Sequence, residues 1–206
     1  MKKIIFLLLI TLVSISCNSK EEAELVITPI QHGTAAFTYG DVTVFVDPTG
    51  NAETFSNFSL PNYIFITEIV IINNGEEKTF GLIKAEAIPM YNLREEALKF
   101  HTKGRGNGYV FTVNKQRIYF SGDTEDIPEM RALKNIDKAY VCMNLPYTMT
   151  VESAADAVLA FKPKEVYPYH YRGTGGLSDV AKFKSLVNTG NNNIKVVQLN
   201  WYPNQK

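Results

Sequence analysis

The stretch from Phe100 to Glu125 constrains the fold more than any other part of this 206-residue chain. It begins beside His101, one of only three histidines, and continues through a glycine-rich turn into two apolar runs, Tyr109–Val113 and Arg117–Ser121. Three polar residues separate these runs, which predicts a pair of antiparallel strands. Asp123 follows the second strand within the sequence SGDTE. A histidine before a strand pair and a carboxylate after it meet at one edge of a sheet, where rigid scaffolds hold metal ions.

The surrounding residues predict a mixed α/β or α+β domain, with many strands early and strand–helix alternation later. Short apolar or alternating runs predict further strands at Leu25–Ile30, Thr34–Tyr39, Asp41–Val46, Tyr63–Thr67, Phe80–Pro89, Ile136–Cys142, Glu165–Tyr169 and Lys195–Asn200. Capping residues and apolar stripes predict helices at Thr124–Leu133, Thr150–Phe161 and Leu177–Asn188. The chain length suits one globular domain with a sizeable core.

Two more histidines fall at predicted strand ends beside glycine. His170 ends a strand within the sequence YPYHYRG, and His32 lies between the first two strands. Together His101, Asp123 and His170 have the composition of a two-histidine, one-carboxylate metal site. Each also has an ordinary structural interpretation, since a lone histidine is more often hydrogen-bonded than bound to metal, and Asp123 could cap the helix that follows it. From the residue types alone, both interpretations stay open.

Other polar and reactive features are interpreted as structure. The turn Gly104–Gly108 lacks the helix and lysine of a nucleotide-binding loop, so we expect a tight turn there. Cys142 lies in an apolar run, and we expect a small core residue rather than a disulfide partner. The chain has 21 Lys and Arg residues against 21 Asp and Glu residues, so we expect no nucleic-acid partner.

The N-terminus predicts export. Two lysines precede the apolar run Ile4–Val13, which is too short for a spanning helix and has the flanks of a signal peptide. Small residues then lead to Cys17 in a pattern that resembles a bacterial lipobox, with Ser14 where leucine is usual. The alternative is a plain secretory signal with an incidental cysteine. We expect a signal peptide at 1–17, lipidation of Cys17, a polar tether at 18–24, and anchoring to the outer membrane, facing the periplasm or the cell surface.

Four segments of the chain carry a family resemblance: LVITPIQHGTAAF…VFVDP, SGDTE, NLPYTM and VYPYHYRG. They resemble the metallo-β-lactamase fold, and most of all the metal-dependent hydrolases similar to ascorbate-6-phosphate lactonase, which include lipoproteins of Bacteroidota. The resemblance extends from Leu25 to Pro203, so 25–206 is expected to be one domain. It implies a four-layer αββα sandwich with a two-metal site at one edge of the two sheets.

The resemblance also implies roles for individual residues. His101 matches the histidine that completes the first metal's ligands, Asp123 matches the carboxylate that bridges both metals, and His170 matches the last histidine, on the second metal. The implied cofactor is a divalent metal, zinc or manganese. The implied positions around the site, with a role toward a small-molecule substrate, are His32, Asp47, Asn92, Arg105, Tyr171 and Arg172.

One family motif is missing after the predicted strand Tyr63–Thr67. The family continues there with HxHxDH, a helix and a strand, whereas Glu68 already begins what reads as the later strand. We therefore expect a helix and a strand of the first half to be deleted. Each metal would then retain one histidine and Asp123, fewer than the three protein ligands of a catalytic zinc. One ion held jointly by Asp123 and both site histidines, with Glu68 as an added carboxylate, is the alternative.

The implied activity is hydrolysis of an ester, a lactone or a phosphoester by metal-activated water, in a site that has lost part of its ligand set. The alternative is a non-catalytic lipoprotein that retains the fold for binding or structure. A third possibility is that a deletion or a gene-model error produced the chain, which would then fold poorly because an apolar sheet face is left uncovered.

Overall fold

The computed structural model describes residues 23–66 and 72–202. The predicted signal peptide with Cys17, most of the polar tether and the junction at Glu68 lie outside the described residues. Within the described part, no helix combines the length and the apolar character needed to cross a bilayer.

The N-terminal part of the described chain forms a four-stranded sheet. Its strands, in both chain and spatial order, are β1 (Leu25–Gln31), β2 (Thr34–Tyr39), β3 (Val42–Val46) and β4 (Tyr63–Phe65). Short turns join the first three, which pair antiparallel, and β4 pairs parallel to β3. The connection to β4 is longer and contains the 3-10 turn Ala52–Phe55, because a parallel neighbour requires the chain to cross over.

The second sheet has seven strands. Along the chain they are β5 (Glu77–Phe80), β6 (Ile83–Met90), β7 (Gly106–Val113), β8 (Gln116–Phe120), β9 (Lys138–Val141), β10 (Glu165–Pro168) and, after the ribbon β11 (Arg172–Gly173) and β12 (Gly176–Leu177), β13 (Lys195–Val196). Their spatial order is β13-β10-β9-β8-β7-β6-β5. Strands β5 to β8 pair antiparallel, whereas β8, β9, β10 and β13 pair parallel.

Three helices accompany the second sheet: α1 (Pro128–Arg131), α2 (Val151–Phe161) and α3 (Val180–Gly190). As predicted, the Thr150 hydroxyl caps α2 by accepting from the Ser153 amide at 3.1 Å. The helix ends at Lys162, whose φ of 50° is left-handed. Phe161 of α2 contacts Tyr119 of β8 with ring centroids 6.0 Å apart, so the helices cover the outer face of this sheet.

The core between the two sheets is largely aromatic. Phe37 and Phe65 of the first sheet contact Phe111 of β7 at ring-centroid distances of 5.6 and 4.6 Å. Cys142 is a free thiol with no exposed surface, as predicted for a small core residue. Inward side chains alternate with outward ones along the strands, as the strand period requires. The predicted mixed α/β sandwich is confirmed.

The outer face of the first sheet carries no α-helix within the described residues. Phe45 on this face packs against Phe55 and Phe58 from the connection to β4, with ring centroids 4.7 and 5.9 Å apart. Farther out, Val26 and Ile64 are exposed by 47% and 45%. The described chain thus has a helical layer on the second sheet, and a short aromatic turn covers part of the first.

The helix predicted at Thr124–Leu133 is wrong over its first half, because α1 is a single turn. Thr124 Oγ1 donates to the Tyr91 carbonyl at 3.0 Å, and the Glu125 carboxylate accepts two backbone amides of the loop after β6. These groups therefore hold a neighbouring loop instead of starting a helix. Asp123 does not cap α1 either.

The strand predicted at Phe80–Pro89 is divided by a turn between β5 and β6. Two boundaries near the C-terminus also differ from prediction. Leu177 pairs with Arg172 in the ribbon, so α3 begins only at Val180, where the Asp179 side chain accepts from the third residue of the helix at 2.8 Å. The last strand, predicted at Lys195–Asn200, is limited to the two residues of β13 that pair with the edge of β10.

Candidate functional site

His101, Asp123 and His170 lie at one edge of the second sheet. His101 belongs to the loop that leads into β7, Asp123 follows the C-terminal end of β8, and His170 follows the C-terminal end of β10. Because β7 runs antiparallel to β8, and β8 to β10 run parallel, these three positions fall on the same edge. The topology therefore explains why residues distant in sequence meet.

The Asp123 carboxylate lies between the two histidines. His101 Nε2 is 3.4 Å from Asp123 Oδ2, and His170 Nε2 is 3.2 Å from Asp123 Oδ1. The structure thus brings together the three predicted metal-binding residues, with one histidine at each carboxylate oxygen. Burial raises the pKa of Asp123, but the hydrogen bonds from His101 and His170 and their positive charges outweigh burial and hold this pKa well below its usual range.

The ring of His101 is oriented from behind by Asn92 and the Tyr147 carbonyl. Both amide hydrogens of Asn92 are used, since its Nδ2 donates to the Ala97 carbonyl at 2.8 Å and to the Tyr147 carbonyl at 2.7 Å. Asn92 therefore has no proton left for His101 Nδ1, which is 3.4 Å away. His101 Nδ1 instead keeps its own proton and donates to the Tyr147 carbonyl at 3.2 Å.

This orientation determines what His101 Nε2 can do. When Nδ1–H donates to the Tyr147 carbonyl, Nε2 of the neutral ring presents its lone pair to the Asp123 carboxylate. Two electron-pair donors 3.4 Å apart require a positive charge between them, either a proton on the ring or a cation. Two ligands of one tetrahedral zinc lie about 3.3 Å apart at ordinary bond lengths. Metal-bound histidines commonly donate their other N–H to a backbone carbonyl, as His101 does.

The His170 side of the carboxylate differs. His170 Nε2 lies 3.2 Å from Asn144 Nδ2 as well as from Asp123, and His170 Nδ1 is buried without a hydrogen-bond partner within the described residues. Burial lowers the pKa of His170, but the hydrogen bond to Asp123 and the charges of Asp123 and Asp47 raise it by more. No carbonyl orients this ring for a metal, so the His101 side fits an ion better.

The described site offers few metal ligands. Among the side chains of residues 23–66 and 72–202, no three His, Cys, Asp or Glu groups converge as a complete set of metal ligands. The described residues thus fit a divalent ion in donor type, in spacing and in ring orientation, but only two donors meet on either side of Asp123. A catalytic zinc usually has three protein ligands.

Three residues of the site have left-handed backbones. The φ angles are 50° at His32, 43° at Asp47 and 43° at His170, and none of these residues is glycine. Each such residue costs on the order of 1 kcal/mol and is retained only where its surroundings enforce it. Backbone hydrogen bonds do so here, since the Asp47 amide donates to the Phe65 carbonyl at 2.8 Å and the His170 amide to the His32 carbonyl at 3.2 Å. Strain of this kind concentrates at functional sites.

Two cavities meet at Asp123 and His170. The first, called the strand-end cavity, has a volume of about 270 Å³ and is lined also by His32, Gly33, Thr34, Asp47, Pro48, Thr49, Ile66 and Tyr169. The second, called the loop cavity, has a volume of about 330 Å³ and is lined also by Lys99, Phe100, His101, Arg105, Asn144, Tyr147 and Arg172. Asp123 and His170 thus form the wall between the two cavities.

The residues predicted around the site divide into two groups. His32 and Asp47 line the strand-end cavity, and Arg105 and Arg172 line the loop cavity. Burial lowers the pKa of His32, and the positive charges of His170 and Arg172 lower it further. These four residues are placed where a substrate could contact them.

The other two predicted rim positions are buried and line neither cavity. Asn92 is only 1% exposed and supports His101 from behind. Tyr171 is 7% exposed, and its ring packs against Tyr202 with centroids 4.9 Å apart. A role toward a substrate stays a prediction for both residues.

Sequence reasoning missed the contacts of Asn144 and Tyr147 with the two histidines. Both belong to NLPYTM, a segment that was singled out only as a family resemblance. It also missed a buried clamp in which Arg94 Nε donates to Glu125 Oε1 at 2.6 Å and Arg94 Nη2 donates to the Thr148 carbonyl at 2.7 Å. The clamp joins residues far apart in the chain, and no local pattern indicates it.

Known proteins give independent findings. Residues 22–171 match the family model described as the Beta-lactamase superfamily domain. A "UPF0173 metal-dependent hydrolase" of Thermococcus onnurineus is 29% identical over 176 residues, covering 81% of this chain and 75% of the relative. A crystal structure of a proposed metal-dependent hydrolase from Parabacteroides distasonis superposes with a TM-score of 0.77 at 33% identity, covering 85% of this chain and 93% of the other.

A more distant structure supports the fold alone. Igni18, a metallo hydrolase of Ignicoccus hospitalis, superposes with a TM-score of 0.71 at 17% identity, covering 85% of this chain and 94% of the other. The family model matches well over half of the chain, and the Parabacteroides structure covers most of it at 33% identity. This chain therefore belongs to the β-lactamase superfamily.

Proposed function

We propose that this protein is a metal-dependent hydrolase of the β-lactamase superfamily that works with a reduced metal centre. Asp123 and His101 would hold one divalent ion, zinc or manganese. The observation that carries the proposal is the pairing of His101 Nε2 with Asp123 Oδ2 at 3.4 Å while His101 Nδ1 faces the Tyr147 carbonyl. The names of the relatives as metal-dependent hydrolases support it.

The proposed reaction is hydrolysis of an ester, a lactone or a phosphoester. A bound divalent ion supplies an acidified water and polarises the oxygen of the group that is attacked. The chain's own residues orient the site: the Tyr147 carbonyl fixes the His101 ring, and His170 holds the second oxygen of Asp123 at 3.2 Å. Asn144 lies beside His170 in the loop cavity and offers an amide toward the substrate. The missing HxHxDH segment is the proposed reason for the small ligand number.

A metal titration tests this proposal. We expect the chelator-treated protein to bind one zinc or manganese ion per chain and to release a proton as it binds, because the ion replaces positive charge between two donors. Asp123→Asn and His101→Gln should each weaken binding by about tenfold or more, since each removes one of two protein ligands. Glu152→Gln, on the exposed face of α2, removes a carboxylate elsewhere and should change nothing.

Hydrolysis is measured on the same variants with a panel of aryl esters, lactones and phosphoesters. Activity that a chelator abolishes, that zinc or manganese restores and that Asp123→Asn lacks would support the proposal. A protein that binds no ion above the level of Asp123→Asn would contradict it.

A second candidate function is that of a non-catalytic binding protein that retains the sandwich. The observation that favours it is the closed His101–Asp123–His170 arrangement, in which only two donors meet on either side of the carboxylate. This function predicts that ligands bind without metal and that no substrate of the panel turns over. Chelator-sensitive hydrolysis would rule it out.

We also propose that the protein is exported and anchored to the outer membrane through lipidated Cys17. The support is the sequence alone, a short apolar run that leads through small residues to this cysteine. Detergent phase partition of the protein expressed in its bacterial host measures the anchor. Cys17→Ser should move it from the detergent phase to the aqueous phase, and an unchanged partition would contradict lipidation at this residue.

A further inference from the structure

The loop cavity has a strongly cationic lining. Lys99, Arg105 and Arg172 contribute three positive charges to its wall, and Asp123 is the one carboxylate among the lining residues that the structure describes. The oxygens of Asp123 already face His101 and His170. Positive charges therefore outnumber negative ones among the described lining residues, and this excess would attract an anion.

The two arginines are positioned independently of each other. Arg105 Nη1 donates to the Phe100 carbonyl within the loop after β6. Arg172 begins the ribbon that follows β10 and also lines the loop cavity. Within the described residues, Arg172 forms no ion pair with a carboxylate. A guanidinium without a carboxylate partner suits the planar, two-point binding of an oxyanion.

The strand-end cavity offers a contrast. Apart from Asp123 and His170, its described lining consists of short polar, apolar and aromatic residues with one carboxylate, Asp47, and one histidine, His32. A substrate that lies across Asp123 would thus have one end in a cationic cavity and the other in a cavity whose described lining contains no lysine or arginine. The two cavities distinguish the ends of such a molecule.

We propose that the loop cavity binds an oxyanion group of the substrate, a phosphate or a carboxylate, through Arg105 and Arg172. Lys99 adds charge at the entrance, and Phe100 and Tyr147, with ring centroids 5.0 Å apart, form an aromatic wall beside it. The inference deepens the proposed hydrolase function by naming the class of substrate: an anionic ester, lactone or phosphoester whose cleaved bond lies over Asp123. The oxyanion contacts involve no metal ligand, so the cavity binds its anion without an ion at Asp123.

Phosphate binding to the chelator-treated protein tests this inference. Inorganic phosphate is added at constant ionic strength, and binding is followed by the amide shifts of residues around the loop cavity in ¹H–¹⁵N NMR spectra. We expect saturable binding that Arg172→Gln and Arg105→Gln each weaken by about tenfold, since each removes a charge-assisted hydrogen-bonding partner. Arg131→Gln is the matched control, because it removes the same charge from a surface pair with Asp126 and Asp156.

The outcomes separate the inference from the proposed function. Phosphate binding that fails in both cavity variants but persists in Arg131→Gln supports the inference, whether or not the protein binds zinc. Binding that is absent, that is unchanged in the cavity variants or that falls equally in Arg131→Gln overturns it, even if zinc binds at Asp123. A parallel titration with acetate distinguishes a carboxylate from a phosphate as the preferred group. The spectra themselves show whether each variant is folded.

Discussion

Gly173 lies where the ribbon after His170 passes the loop that supports both site histidines. A Cβ atom built on Gly173 would lie 1.8 Å from the Leu145 carbonyl oxygen, which is backbone and cannot rotate away. Leu145 is next to Asn144, whose amide lies beside His170. The site therefore depends on a close backbone approach that only glycine permits.

We expect Gly173→Ala to destabilise the protein by about 1–3 kcal/mol or more, because the loop has to move to admit the methyl group. It should also weaken metal binding at Asp123, since the displaced loop carries the Tyr147 carbonyl that orients His101. Urea unfolding and metal titration measure the two effects. Gly175→Ala is the control in the same ribbon, because its Cβ would meet nothing within 4 Å. Equal stability of the two variants would contradict the close-approach argument.

Arg94 and Glu125 join three connections that surround the site. The buried Glu125 carboxylate accepts the Leu93 and Arg94 amides at 2.8 and 2.9 Å, and Arg94 Nε donates to it at 2.6 Å. Arg94 Nη2 also donates to the Pro146 and Thr148 carbonyls at 3.1 and 2.7 Å. One ion pair thus ties the loop after β6 to the loop after β8 and the loop after β9. These loops carry His101, Asp123 and Asn144 respectively.

We expect Arg94→Met to cost about 2–3 kcal/mol, because it leaves a buried carboxylate without its cation, although Arg94 is itself partly exposed. Adding Glu125→Gln should recover part of the loss, since it removes the uncompensated charge. A double-mutant cycle from urea unfolding gives the coupling between the two residues. Lys182→Met, in an exposed ion pair with Glu152, is the control and should change stability by less than about 1 kcal/mol. If Arg94→Met loses no more stability than this control, the ion pair does not stabilise the three loops.

Across the whole molecule, what could be predicted from the sequence was what is encoded locally. The α2 cap at Thr150 and the hairpin of β7 and β8 follow from neighbouring residues, and both are confirmed. Asp123 and His170 could be predicted because each ends a strand beside glycine. The partners of Asn92 could not, because its contact with the Tyr147 carbonyl spans 55 positions. The shortness of α1 has the same cause, since the Thr124 hydroxyl donates a hydrogen bond to the Tyr91 carbonyl, 33 positions away in the chain.

The outer face of the first sheet needs another cover, because it carries no α-helix within the described residues. The family resemblance predicted that a helix and a strand are lost from this half, and poor folding was one of the alternatives. Phe45 is nevertheless only 6% exposed, because Phe55 and Phe58 pack over it. The 3-10 turn that carries Phe55 begins at Asn51, whose side chain accepts from the Thr54 amide at 3.2 Å. This short turn therefore buries the part of the outer face around Phe45.

The cover can be tested by removing one ring. We expect Phe55→Ala to lower the free energy of unfolding by about 1–2 kcal/mol, because loss of the half-buried Phe55 ring exposes Phe45 to water. Leu60→Ala is the control in the same connection, because Leu60 is 91% exposed and should change stability by less than about 0.5 kcal/mol. Urea unfolding of residues 18–206 measures both, and binding of a hydrophobic dye reports the uncovered face. If Phe55→Ala is as stable as Leu60→Ala, the turn does not cover the sheet in solution. In that case the first sheet would be stabilised only from its inner side, where Phe37 and Phe65 pack against Phe111.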